Sequence, residues 1–154
     1  MRQAATHHGI CRSWLDSALS ERRPLGISEP VLSADVRIAT HGRIFPKPLT
    51  PAQAFEFTDA LLAHPSVTRL QPGEAHWRIF KSLCEGTHAT GSRVADAYHA
   101  ALAIEHGAVW VTLDRDFAAF PGLKVRNLLA ARPDEVHESR ARYKVNRPRR
   151  RASQ

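Results

Sequence analysis

Apolar positions along the chain alternate between helical spacing and short continuous runs, and turn residues mark most of the changes. Ile10, Trp14, Leu15 and Ala18 fall at helical spacing, which predicts a helix from His8 to Leu19. Pro24–Ser28 reads as a short strand, and Ser28 can cap a second helix over Glu29–Thr40, where Pro30 stands at a tolerated first-turn position. Residues 41–49 hold two prolines and read as loop. Thr50-Pro51 then opens a third helix by the same cap-then-proline logic, with Ala54, Phe55, Phe57, Ala60, Leu61 and Leu62 on its inner side. Val67–Leu70 is a β run closed by the Pro72-Gly73 turn. Glu74–Cys84 forms a fourth helix that turns Trp77, Ile79, Phe80 and Leu83 mostly inward.

The most informative stretch comes after the polar loop 85–91. A helix carrying Asp96 ends at Gly107 and feeds an apolar strand, Ala108–Thr112. Directly after that strand come Asp114 and Asp116, then a turn over Phe117–Phe120 and a last short strand at Lys124–Arg126. Strands alternating with helices imply parallel crossovers, hence an α/β fold. Ligands of such folds gather at the carboxyl ends of the strands, where Asp114 and Asp116 stand. Asp96 reaches the same place if its helix begins at that end. Three converging carboxylates repel one another unless a hard divalent cation lies between them, an arrangement suited to a magnesium or manganese nuclease.

Composition narrows the picture further. At 154 residues, 43% hydrophobic and 24% charged, the chain has one globular domain's worth of sequence. No run of eighteen apolar residues exists, and the first residues lack the apolar core of a secretory signal, so a cytoplasmic protein is expected. Cys11 and Cys84 form no metal-type pair and no disulfide framework. The net charge of +7 is concentrated at the end. From Arg132 onward eight basic residues face three acidic ones, so 131–154 reads as a basic tail after a domain spanning 1–130. Such a tail is expected to be a solvated, disordered extension, and a basic arm can also hold a phosphate backbone without reading its sequence.

The segment from Gly91 to Phe120 resembles the C-terminal half of PIN-domain ribonucleases, in particular the VapC toxins of bacterial toxin–antitoxin pairs. Their helix of the type D-A-x-L-A-A-L-A-x-x-x-G matches the run from Asp96 to Gly107, and their strand ending T-x-D-x-D-F matches Thr112 to Phe117. Arg43–Pro51, Trp77 and Phe120-Pro121-Gly122-Leu123 are similar to one subgroup of these toxins. The resemblance runs from about residue 6 to about residue 129. It implies a PIN-like three-layer sandwich, a short parallel sheet with helices on both faces. It also implies Mg2+-dependent endonucleolytic cleavage of RNA (Mn2+ as the alternative ion), a cognate VapB-like antitoxin as partner, and a homodimer.

Proteins of this kind begin with a central strand of the type hydrophobic-hydrophobic-D-x-N, whose aspartate is the first metal ligand. This chain opens instead on Met1-Arg2-Gln3-Ala4-Ala5-Thr6, which resembles the loop after that strand. Two explanations are expected from the resemblance: a start placed downstream of the true one, or a truncated, decaying copy. In the second case a remnant that keeps only antitoxin binding or dimerisation is the alternative function. Ser92 also departs from the asparagine frequent at its position, although serine can still cap the helix.

The resemblance makes Asp96 and Asp114 metal-holding and catalytic, with Asp116 helping as a ligand or through water. Glu29 is the preferred further acid. Asp35, six residues on, lies within about sixty degrees of it around the helix but falls where these toxins often carry a core hydrophobe. Each also has a plainer reading. Asp96 and Glu29 suit the positive end of a helix, and Asp114-Arg115-Asp116 suits a charged surface turn. His99, one turn after Asp96, could touch RNA, but a partly buried structural role fits it better. The nine histidines show no zinc spacing, and Trp14, Trp77 and Trp110 read most simply as core.

Overall fold

The structure, a computed structural model, describes residues 2–130 and 135–138. Its elements run α1 (Arg2–Ser20), β1 (Leu25–Ser28), α2 (Glu29–Ala39), α3 (Pro51–Leu62), β2 (Val67–Leu70), α4 (His76–Thr87), α5 (Ser92–Glu105), β3 (Val109–Thr112), a 3-10 turn (Arg115–Ala119), β4 (Lys124–Asn127) and β5 (His137–Glu138). The chain divides into two compact units at Glu74/Ala75. Among the described residues no helix is long and apolar enough to cross a membrane.

In the first unit, β1 and β2 pair in parallel from Leu25↔Val67 to Ser28↔Leu70, joined through α2 and α3. Gly26 makes room there for the Leu70 side chain, which would have to shift if a Cβ were added. Ser28 occupies the N-cap position of α2 but makes no side-chain cap bond, and its buried hydroxyl has no partner among the described residues. Thr50 behaves as the sequence predicts. Its Oγ1 accepts the Gln53 N–H at 3.3 Å, while Gln53 Oε1 accepts the Thr50 N–H at 3.0 Å. That reciprocal pair is a capping box.

α3 turns a narrower face inward than its apolar content suggests. Ala54 and Thr58, one turn apart, are its buried residues, while Phe55 and Phe57 are 54% and 50% exposed. The inward line is set by the i, i+4 pair of small side chains, so the two phenylalanines fall on its flanks.

In the second unit, α4 and α5 form a helical hairpin. The start of α4 meets the end of α5, where the Ala75 N–H donates to the Glu105 carboxylate at 2.8 Å. α4 buries His76, Ile79 and Leu83, spaced i, i+3, i+7. Trp77 is one step off that line and is 70% exposed, which corrects its assignment to the core. Small residues let α5 pack closely: Ala97, Ala100 and Ala101 are fully enclosed. They join Ile79, Leu83, Phe117, Phe120, Leu123 and Val125 in the core.

Both helices of the hairpin end in Schellman motifs. After α5, the Ala108 N–H reaches Ala103 O at 2.8 Å and the Gly107 N–H reaches Ile104 O at 3.1 Å, with Gly107 at φ 63°. After α4, the Ala89 N–H reaches Cys84 O at 2.9 Å, and the left-handed residue is His88, at φ 51°. β3 then pairs in parallel with β4, from Val109↔Lys124 to Thr112↔Asn127.

The parallel pairings therefore match the α/β expectation, distributed over two sheets: β1-β2 and β3-β4-β5. The basic stretch 131–154 lies outside the described residues except for 135–138. There His137–Glu138 adds an antiparallel strand to β4, an element that the sequence pattern does not predict.

Candidate active site

β3 delivers the chain to its acidic end, and a set of local hydrogen bonds fixes the loop beyond it. Thr112 Oγ1 accepts the Asp114 N–H at 3.0 Å, and Asp114 Oδ1 accepts the Asp116 N–H at 2.8 Å. Asp114 thereby caps the 3-10 turn that carries Asp116 and buries Phe117. Asn127, paired in register with Thr112, braces the same loop. Its Nδ2 donates to Leu113 O at 3.3 Å, and its Oδ1 accepts the Leu129 N–H at 2.8 Å. Sequence reasoning does not single out Asn127. The available signal was a side-chain amide at a strand end, where asparagine commonly ties turns.

Asp96 comes from the second turn of α5 and is half-buried, whereas Asp114 and Asp116 are exposed. Burial pushes the Asp96 carboxyl above the ordinary aspartate range, and the negative charges of Asp114 and Asp116 push the same way. His99 and Arg93 oppose them. The three predicted aspartates all belong to the second unit, where the charges of Asp114 and Asp116 are near enough to act on Asp96. Glu29 belongs to the first unit. It opens α2 there, and its Oε1 takes a 3.2 Å ion pair from Arg69 Nη1. Asp35, on the same helix, is half-buried, and burial raises its carboxyl above the usual range.

An aromatic layer backs the acidic end. The His99 ring stacks on Trp110 at 5.4 Å and 17°, and Trp110 leans on Phe117 at 5.0 Å. Burial lowers the His99 imidazole below its ordinary value, and the Asp96 charge only partly offsets this. Burial thus favours the uncharged ring. Its Nδ1 and the Trp110 Nε1 are buried without partners among the described residues. The structural role weighed for His99 agrees with this setting.

Hard carboxylate oxygens are a donor set suited in chemistry and charge to a divalent ion. Their spacing is open, however. Among the described residues no group of three or more His, Cys, Asp or Glu side chains is gathered closely enough to hold a metal.

Comparison with known proteins gives this geometry a context. The PIN domain family model matches residues 4–123. The chain is 40% identical over 122 residues to the VapC ribonuclease Mb2897 of Mycobacterium bovis, covering 79% of this chain and 83% of that protein. It is equally similar, over the same span, to ribonuclease VapC43 of Mycobacterium tuberculosis. To ribonuclease VapC31 of the same species it is 36% identical over 118 residues, covering 77% of this chain and 83% of that protein. Asp96, Asp114 and Asp116 all lie inside the segment that the family model matches. On its sequence and on the elements that present these acids, the chain belongs to the PIN-domain family, among its VapC-type members.

Proposed function

We propose that this protein is an RNA-cleaving toxin of a toxin–antitoxin pair, acting as an endoribonuclease through a divalent ion at the acidic end of β3. One observation carries the reading: half-buried Asp96 has its ionisation opposed by burial and then by the charges of Asp114 and Asp116, in a chain whose relatives are named ribonucleases. Asp96 and Asp114 are the residues to hold Mg2+ or Mn2+, with Asp116 as a third ligand or acting through water. A bound ion supplies an activated water and offsets the charge that builds on the phosphoryl oxygens.

The protein's own residues prepare that site. Asp114 commits Oδ1 to the Asp116 amide and keeps Oδ2 for other work. Asn127 steadies the loop between them through Leu113. The stacked His99 and Trp110 hold a rigid aromatic surface next to half-buried Asp96. Glu29 is the further acidic candidate, tested by Glu29→Gln on its own. The partners in this reading are RNA, a small VapB-like antitoxin and a second copy of the chain, all in the cytoplasm.

A second reading has its own support. The open spacing of the acids favours a remnant that binds antitoxin or dimerises without cutting. Cleavage of a panel of structured RNAs, with and without Mg2+ or Mn2+, separates the two. Metal-dependent cutting that disappears in Asp96→Asn supports the nuclease. A folded chain that cuts nothing under any ion supports the remnant.

A further inference from the structure

Arg93 is the second residue of α5 and stands three before Asp96, on the same side of the helix. Its guanidinium carbon lies 5.6 Å from the centre of the Phe120 ring, which is itself 1% exposed. A cation over an aromatic face is held in place by the ring's negative π surface. The Arg93 Nε is buried there and has no hydrogen-bond partner among the described residues. Among the same residues Arg93 makes no ion pair, although its charge is close enough to Asp96 to favour the ionised carboxylate.

This combination is unusual for a cation beside three acids. A guanidinium that served only to balance Asp96 would close on it as a salt bridge. Here the aromatic seat holds the fork in position, and among the described residues its terminal nitrogens are uncommitted. A phosphodiester approaching Asp96, Asp114 and Asp116 meets like charge, and a fixed cation at the rim offsets that repulsion. The planar fork also matches two phosphate oxygens at once, which an ammonium cannot do.

We propose that Arg93, seated on Phe120 one turn ahead of Asp96, grips a backbone phosphate of the RNA at the acidic site. The proposal rests on the reading of this site as a ribonuclease centre. It gives the centre a positive element that its acids lack.

The test measures binding apart from cutting. Asp96→Asn serves as the parent, with a labelled single-stranded oligoribonucleotide in EDTA, titrated across a range of salt concentrations. Adding Arg93→Ala is expected to weaken binding on the order of tenfold for every sequence and to lower the slope of log affinity against log salt by about one. Arg93→Lys is expected to restore the slope without the full affinity. Arg93→Gln keeps most of the stem over Phe120, and it should bind like Arg93→Ala while melting like the parent. Unchanged affinity and slope in Arg93→Ala overturns the proposal, as does a parent that binds no RNA. A lower melting temperature with the slope intact assigns Arg93 to structure alone and overturns it too. Cleavage by the native chain is scored separately, so failure of the catalytic reading and failure of the Arg93 reading give different results.

Discussion

The Asp116 amide donates its hydrogen to Asp114 Oδ1 at 2.8 Å, so the carboxylate just beyond β3 is also the cap of the turn after it. The capping role of Asp114 and the metal-holding role proposed for it are separable by substitution. Asp114→Ser keeps a capping oxygen and should stay near wild-type stability. Asp114→Ala removes the cap and should cost about 1 kcal/mol. Both should abolish RNA cleavage. Denaturant unfolding of the two variants checks this, and equal stability would remove the capping role.

Asp96 is a carboxylate held where ionisation is opposed, first by burial and then by Asp114. Its folded-state pKa is raised, so above the ordinary aspartate range the unfolded chain gives up this proton more readily. Stability is then lost as pH rises through that range. Asp96→Asn should melt higher than wild type at pH 7 and lose the advantage at pH values below about 4. Adding Mg2+ should raise the melting temperature of wild type and leave Asp96→Asn unmoved. A destabilised Asp96→Asn at neutral pH would contradict the account.

His99 gives the opposite slope. Its folded-state pKa is lowered by burial, so the neutral ring contributes stability that is full above the ordinary histidine value of about 6.5. That contribution is lost as pH falls below it, because the unfolded chain takes up the proton first. His99→Phe keeps a ring against Trp110 and cannot titrate. Wild type should therefore lose unfolding free energy relative to His99→Phe between pH 7.5 and 5, about the range where histidine titrates. A constant difference between the two proteins across that range would clear His99 of the effect.

His88 ends α4 with a left-handed backbone that only glycine adopts without cost. His88→Gly should raise stability by about 1 kcal/mol, an amount readable as a shift in melting temperature. Gly107→Ala, at the matching place after α5, should lower it by a similar amount. No gain in His88→Gly would mean that the histidine side chain contributes as much as its backbone strain removes.

Much of this arrangement was readable in the residues because local signals agreed with one another. Thr50-Pro51 with Gln53 specified a helix start, and Gly107 after an alanine-rich run specified a stop. Asp114 and Asp116 follow a strand ending at Thr112, in the order expected of a carboxyl-end site. What failed depended on tertiary surroundings. Phe55, Phe57 and Trp77 have the spacing of inward residues, but which face packs is decided by Ala54, Thr58, Ile79 and Leu83. Ser28 has the right type and position for a cap but makes no cap bond with its hydroxyl. Asn127 and β5 act through partners distant in sequence, which spacing alone does not reveal.

The enclosed alanines of α5 have a consequence for how this protein can change over generations. Ala97, Ala100 and Ala101 are wholly enclosed, so the placement of Asp96 rests partly on how small these neighbouring side chains are. One added methylene there would tilt the helix and move the carboxylate, even where the fold survives. Drift at three chemically inert alanines is thus a route by which a toxin of this kind could fall silent while every acidic residue remained in place.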